Sequence, residues 1–329
     1  MSLENEPDDR LSREEASPWR DETSLPESTP SNPMPTDSAL KDSKRQRRSK
    51  RLVELLVLIG FFAVGLSTSG VHSPSSAGPA TGLTFELPRD LPLPEHQPRN
   101  RLRVAQFNIH SGVGSDGHFD LERTAQLLPG YDWVGLNEVR GSGYQFQYMP
   151  QAEQLARLLK LPYLFAPTEQ QWLRDSFGNA ALTSLPTQHF QRIPLPRSRG
   201  RGYRNLLLTR VRLPAGPVTI LVTHLDRTVD RAEQLRTIHE LFTALAPPVV
   251  LMGDLNTTAD DPQIQAWLSE PGMIDALNVH NDPQAEAVRD RIDWILVRGL
   301  KVLDSGLVTT PASDHPLVWA ELEREPSPE

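Results

Sequence analysis

The chain has 329 residues, a formal net charge of -8 and no cysteine. Lacking cysteine, it carries no disulfide framework, no thiolate metal site and no thiol nucleophile. From residue 99 onward 23 Lys and Arg stand against 27 Asp and Glu, so bulk charge does not mark a basic nucleic-acid-binding chain.

Residues 1–51 are crowded with Glu, Asp, Ser, Pro and Arg, and have almost no aliphatic periodicity. Such a segment buries too little apolar surface to offset its ordering entropy, which predicts a disordered tail. Its end, Lys44–Arg51 (KRQRRSKR), is densely basic, and the apolar run Leu55–Leu66 (LLVLIGFFAVGL) follows almost at once. With its flanks, residues 52–71, the run reaches the roughly twenty residues that span a bilayer. We expect an uncleaved single-pass membrane anchor, with the basic tail cytoplasmic and the rest extracytoplasmic by the positive-inside rule. Cleavage near Ser67–Gly70 or Ser75–Ala77 would instead give a secreted or periplasmic protein. Residues 72–100 are rich in proline and read as a semi-stiff linker.

A folded domain is expected over residues 101–324. The pattern reads as a strand at 103–109, a short helix at 121–128, a buried strand at 133–136 and a helix at 152–159. Strands follow at 163–166, 180–184, 205–211 and 218–223. The strongest helix is 229–245, where Ala232, Leu235, Ile238, Leu241, Phe242 and Leu245 recur at helical spacing. A buried strand at 249–252, a helix at 263–268 and strands at 292–297, 302–308 and 317–322 close the domain. So many strands, many joined as hairpins, predict an α/β protein of two mixed sheets packed face to face with helices outside.

Polar residues capable of metal or phosphate chemistry recur where these strands end. They are Asn108 and His110 in FNIHSG, Glu138 in WVGLNEV and Asn179 in FGNAALTSLP. Further along come His224 and Asp226 in TILVTHLD, Asp254 and Asn256 in PVVLMGDLN, Asp293 in RIDWILV, and Asp314 and His315 in SDHPLVWAEL. A lone strand-end acid is ordinarily solvated, and Asp254–Asn256 alone is equally an Asx-turn ending its strand. Repetition at the same place relative to buried strands argues for one shared site.

The ordered set FNIHSG, LNEV, GNAALTS, THLD, GDLN, RIDWILV and SDHP resembles the endonuclease/exonuclease/phosphatase superfamily, the DNase I-like fold, over about Arg101–Glu323. The resemblance implies a four-layer α/β/β/α sandwich and divalent-metal-dependent cleavage of phosphate esters. By similarity Glu138 is the main metal ligand, with Asn108 and Asp314 beside it, for Mg²⁺ or alternatively Mn²⁺. Asp254 would position or deprotonate the attacking water, Asn256 would hold a phosphoryl oxygen, and His224 would donate to the phosphoryl oxygens or the leaving group. His315 would be oriented by Asp293; whether His315 or Asp254 takes the water's proton stays open. His110 departs from the pattern, standing where DNA-repair members carry an acid.

The arginines of Gln191–Leu213, with no acid among them, read equally as a solvated strand edge or as a basic flap that grips phosphate. On the second reading Arg201, Arg204 and Asn179 contact a phosphate-ester substrate, either nucleic acid or phospholipid. The segment 52–71 would supply the membrane contact, and no obligate protein partner is evident. The rival expectation is a non-catalytic, membrane-tethered module of the same fold that only holds phosphorylated ligands.

Overall fold

The structure is a computed structural model that describes residues 49–57, 100–141, 150–171, 174–197, 202–278 and 290–324. The chain forms two units, Met1–Phe62 and Ala63–Glu329. Of the first, the described residues 49–57 are an exposed helix. Among the described residues no helix is long and apolar enough to cross a membrane. Most of the expected tail, the anchor residues 58–71 and nearly all of the linker lie outside the described residues.

Among its described residues the second unit contains twelve strands: β1 (Arg101–Asn108), β2 (Trp133–Val139), β3 (Tyr163–Gln171), β4 (Arg174–Thr183), β5 (Thr187–Pro194), β6 (Asn205–Leu213), β7 (Gly216–His224), β8 (Val249–Asp254), β9 (Ile274–Asp275), β10 (Asp293–Arg298), β11 (Lys301–Val308) and β12 (Leu317–Glu323). Four α-helices accompany them: α1 (Leu121–Gln126), α2 (Gln151–Leu159), α3 (Arg231–Ala244) and α4 (Pro262–Leu268). One sheet runs β11-β12-β1-β2-β4-β3 and the other β5-β6-β7-β8-β10-β9.

Three apolar clusters make the layers. One lies between the sheets and takes Val104, Trp133 and Ala181 from the first and Val222, Val250 and Met252 from the second. On the outer face of the first sheet, Phe107, Val134 and Leu136 pack with Leu121, Leu155 and Ala156 of α1 and α2. Leu221, Val249 and Leu251 pack with Leu235, Ile238, Phe242 and Ile264 of α3 and α4 on the outer face of the second. Side chains alternate across a strand, so Val250 and Met252 face the other sheet while Val249 and Leu251 face the helices. A strand covered on both faces must be apolar throughout, which is why β8 reads as an unbroken hydrophobic run. The four-layer α/β/β/α sandwich is therefore present as expected.

Helix ends follow local chemistry. Asp120 caps α1 by accepting from the backbone N–H of Glu122 and Arg123, and Asp261 caps α4 from Gln263 N–H with Pro262 just inside the helix.

The arginine-rich stretch is not a single flap. Its two ends are the antiparallel strands β5 and β6, in which Arg192 is buried and Arg210 and Arg212 are exposed. Arg210 and Arg212 stand five and seven residues along β6 from Asn205, and at about 3.3 Å per residue that carries them away from the end where the polar residues collect. Strand β5 is absent from the sequence reading because its polar residues mask the alternation.

Candidate active site

Sheet register assembles the site. In the second sheet His224 of β7 pairs beside Asp254 of β8, and Asp254 pairs beside Asp293 of β10. Three polar side chains thus stand abreast at one end of the sheet. In the first sheet Asn108 of β1 lies beside Asn137 of β2. The pairing of β2 with β4 slips by one residue between Leu136 and Val139, and Glu138 there has a left-handed backbone (φ 56°). Such a bulge re-aims one side chain. Here consecutive residues do different work: Asn137 is buried between the sheets and Glu138 is half-buried.

Gly253 explains why this strand end needs a glycine. Its φ is +154°, and a Cβ there would lie 2.0 Å from the Thr223 carbonyl oxygen of β7. Gly253→Ala is expected to destabilise the fold by about 3 kcal/mol, read as a lower urea midpoint at unchanged slope, because the clash is with backbone that cannot give way.

Asp254 and Asn256 satisfy both sequence readings at once. The Asn256 N–H donates to Asp254 Oδ1 at 2.9 Å, which is an Asx-turn, and Asn256 takes φ 50° beyond the strand. Left-handed backbone at a non-glycine residue carries strain that the surroundings must hold. Asn256 Nδ2 is held by Leu225 O at 2.9 Å and its carbonyl by Arg231 at 2.7 Å.

The remaining site side chains converge on Asp254, which is 1% exposed. Its Oδ2 accepts from Asn108 Nδ2 at 3.0 Å and lies 3.4 Å from His224 Nε2 and 3.8 Å from His315 Nε2. His224 Nε2 is also 3.9 Å from Glu138 Oε1. His315 Nδ1 donates to Asp293 Oδ2 at 2.6 Å, the Asp–His pair that the resemblance implied. Asp314 neighbours His110, whose Nδ1 lies 3.5 Å from Asp314 Oδ1 and 3.2 Å from Val113 O, so the imidazole buttresses the rim. The loop bearing Asp314 and His315 is tied to β1 by Ser313 Oγ, which donates to Asn108 O at 2.7 Å.

Electrostatics distinguish the groups. Burial, reinforced by the Asp293 charge, pushes the Asp254 carboxyl up to about 7. For His315 burial works against the charged form, but the hydrogen bond and charge of Asp293 prevail and raise it to about 9. His224 is held well below the usual imidazole range by burial, with Arg204, His315 and Arg227 adding to the effect. His224 is therefore neutral, and its contacts with Glu138 and Asp254 are polar contacts of an uncharged ring.

Arg204 stands near the same acids. Burial lowers its pKa against the opposing charges of Asp226, Glu138, Asp254 and Glu169, and its Nε has no hydrogen-bond partner among the described residues. Arg201 lies outside the described residues. Asn179, expected at the substrate, is 1% exposed; its amide nitrogen binds Asn205 and its oxygen accepts from Asn137. It sits behind the site. Asp226 caps a turn, with its Oδ1 accepting from the N–H groups of Thr228 and Val229.

The residues suit a divalent cation. Glu138, Asn108 and Asp314 offer only oxygen donors, the chemistry Mg²⁺ takes while keeping several waters. The Glu138 carboxylate has no hydrogen bond among the described residues, and its imidazole neighbour is neutral, so its oxygens are open to a cation. Ligand atoms of Asp254, Asp293 and His315 also fall within 4.8 Å of one another. That trio is less suited to a hard cation, because Asp293 Oδ2 and His315 Nδ1 are already joined to each other.

The family model for the endonuclease/exonuclease/phosphatase family matches residues 105–315. The chain belongs to that family. Its members are generally hydrolases of phosphate esters that use divalent metals. A crystal structure of an endonuclease/exonuclease/phosphatase from Beutenbergia cavernae DSM 12333 is 26% identical with a TM-score of 0.57, covering 69% of this chain and 72% of that one. The human nocturnin catalytic domain with bound sulfate is 19% identical with a TM-score of 0.52, covering 68% of this chain and 95% of that one. D. rerio TDP2 complexed with a single-strand DNA product is 17% identical with a TM-score of 0.52, covering 68% of this chain and 100% of that one. The last two share the fold. No curated protein matches.

Both raised pKa values predict how the metal-free protein responds to pH. A group whose folded pKa lies above its unfolded value contributes stability that is full below the unfolded pKa and lost as pH rises through the folded one. The windows are 3.8 to about 7 for Asp254 and 6.5 to about 9 for His315. In chelator the thermal midpoint should therefore fall from pH 5 to pH 9, and Mg²⁺ should raise it more at pH 8 than at pH 5. A midpoint rising across that range would contradict the assignment.

Proposed function

We propose that this chain is a magnesium-dependent phosphodiesterase in which Asp254 takes the proton of the attacking water and His315 stabilises the phosphoryl group. The observation that carries the reading is the Asp293–His315 hydrogen bond of 2.6 Å standing beside a buried Asp254. A phosphodiester anion repels nucleophiles, so hydrolysis needs a base for the water and positive charge or N–H donors on the phosphoryl oxygens. With a pKa near 7, Asp254 accepts a proton readily at neutral pH; with one near 9, His315 is charged there and serves as donor. This favours Asp254 over His315 as the base.

The neutral His224 directs an Nε2–H into the space between Glu138 and Asp254, where a phosphoryl oxygen or leaving group would accept it. Asn108 holds Asp254 with its amide nitrogen, and its side-chain oxygen accepts from the His110 N–H at 3.0 Å. Glu138, Asn108 and Asp314 would hold a cation, which would supply Lewis acidity toward the phosphoryl oxygens and charge neutralisation. Water attacks phosphorus as Asp254 takes its proton, the P–O bond to one ester oxygen breaks, and the departing alkoxide takes a proton from the charged His315, which the proton gained by Asp254 then replaces. Arg204, with Arg201, would hold a non-bridging or neighbouring phosphate oxygen. We further propose that residues 52–71 anchor the protein in a membrane, with the catalytic unit outside the cytoplasm.

Purified protein incubated with plasmid DNA, RNA, sphingomyelin, phosphatidylglycerol and inositol phosphates in Mg²⁺ should hydrolyse at least one of them. EDTA should abolish that activity and Mg²⁺ restore it; turnover that survives chelation would refute the mechanism. Glu138→Gln is expected to lower activity about a hundred-fold and to raise the Mg²⁺ concentration needed for half-maximal rate.

A further inference from the structure

We propose that a buried chain of four amides, Gln106, Asn137, Asn179 and Asn205, is the positioning device that fixes the two sheets against each other at the active-site end. The proposal rests on the hydrolytic reading above. The chain runs head to tail. The N–H of Asp254 donates to Asn137 Oδ1 at 2.9 Å, and Gln106 Nε2 donates to the same oxygen at 2.6 Å. Asn137 Nδ2 then donates to Asn179 Oδ1 at 2.8 Å, and Asn179 Nδ2 to Asn205 Oδ1 at 3.0 Å. Asn205 Nδ2 ends the run on the carbonyls of Ala166 and Pro167 in β3, at 3.2 and 2.7 Å. All four amide residues are at most 1% exposed.

Four amides in such a place are costly unless paired, and of their side-chain polar atoms Gln106 Oε1 alone lacks a hydrogen-bond partner among the described residues. Gln106, Asn137 and Asn179 belong to the first sheet, and Asn205 and Asp254 to the second. The chain therefore crosses between the sheets three times: at Asp254–Asn137, at Asn179–Asn205 and at Asn205–β3. Elsewhere the sheets meet through Val104, Trp133, Val222, Met252 and similar side chains. Apolar packing is non-directional and tolerates small sliding; hydrogen bonds specify distance and angle. Donors that all point one way also polarise one another, which stiffens the run.

The relay's neighbours in sequence indicate what it positions. Glu138 follows Asn137, Arg204 precedes Asn205, and Asn108 is two residues beyond Gln106. Thr223, which precedes His224, donates to Asn205 O at 3.0 Å. The catalytic groups come from two separately hydrogen-bonded sheets, and this relay sets the separation between Glu138 on one and Asp254 on the other. Asn179 and Asn205 touch none of the reacting atoms, so they act through Asn137.

The test uses Asn179→Leu in the full chain, which breaks the run at its middle. In the folded protein, kcat should fall about ten- to a hundred-fold with KM within about threefold, the signature of misplacement by a fraction of an ångström. The Asp254 amide should exchange with deuterium about ten times faster while that of Val250 in the same strand is unchanged. Asn205→Ala should give the same pattern, and the double variant should be no worse than either single, because both sever one connection. If Asn179→Leu does not fold, Asn205→Ala carries both readouts. Unchanged kcat in folded variants, or unchanged exchange at Asp254, overturns the proposal. A wild-type protein that hydrolyses no ester overturns the hydrolytic reading instead, and the exchange comparison still decides whether the relay holds Asp254.

Discussion

His315→Ala should lower kcat by about a thousand-fold while leaving the fold intact. The imidazole is about one-tenth exposed, and its ring contacts are polar: Asp293 through Nδ1, and Asn108 and Asp254 near Nε2. Its removal therefore takes away charge and a donor more than packing. Asp293→Asn should give an intermediate loss, since the imidazole remains but nothing enforces its tautomer or its charge. The pH profile separates the two roles. If His315 works protonated, activity in the wild type declines as pH rises through about 9, and without the Asp293 carboxylate that limb moves toward the ordinary imidazole value. An Asp293→Asn variant whose alkaline limb stayed in place would show that His315 does not work as the charged donor.

Asp254→Asn should be of comparable severity, about a thousand-fold in kcat, because an amide cannot accept the water's proton. The substitution keeps the side chain's size and its Asx-turn to Asn256, so folding is spared. The acid limb of the profile should disappear with the carboxylate, whereas in His315→Ala it should persist. Saturation kinetics across pH 5–10 on both variants test the division of labour, and a shared acid limb in both would reverse it. Since the two groups lie 3.8 Å apart and share Asn108, the double variant should fall short of the product of the two losses.

Legibility varied with how local the cause was. Helix α3 and strand β8 were readable because apolar period alone sets their faces, and Leu235, Ile238 and Phe242 are buried as their spacing required. Strand β5 was not, because Gln188, His189 and Gln191 interrupt its alternation; its existence depends on pairing with β6. The left-handed turn of Asn256 beyond β8 was not legible, because contacts with Asp254, Leu225 and Arg231 maintain it. Asn179 was expected at the substrate; it is buried behind the site, because what a carboxamide faces is decided by which amide lies opposite it.

The sequence by itself determined the layers, the strand ends that carry chemistry and the types of residue available there, since apolar periodicity and the order FNIHSG, LNEV, THLD, GDLN, RIDWILV and SDHP are properties of neighbours along the chain. It also carried the family assignment. Only the tertiary structure decided which of those residues work together. Register set His224, Asp254 and Asp293 abreast, the bulge in β2 turned Asn137 inward and Glu138 toward the site, and three crossings between sheets linked residues distant in the chain, Asn137 and Asp254 being 117 positions apart. The same distinction holds for charge. Burial and an adjoining carboxylate separate Asp254 from an ordinary surface aspartate, and neither can be read until the two sheets close over it.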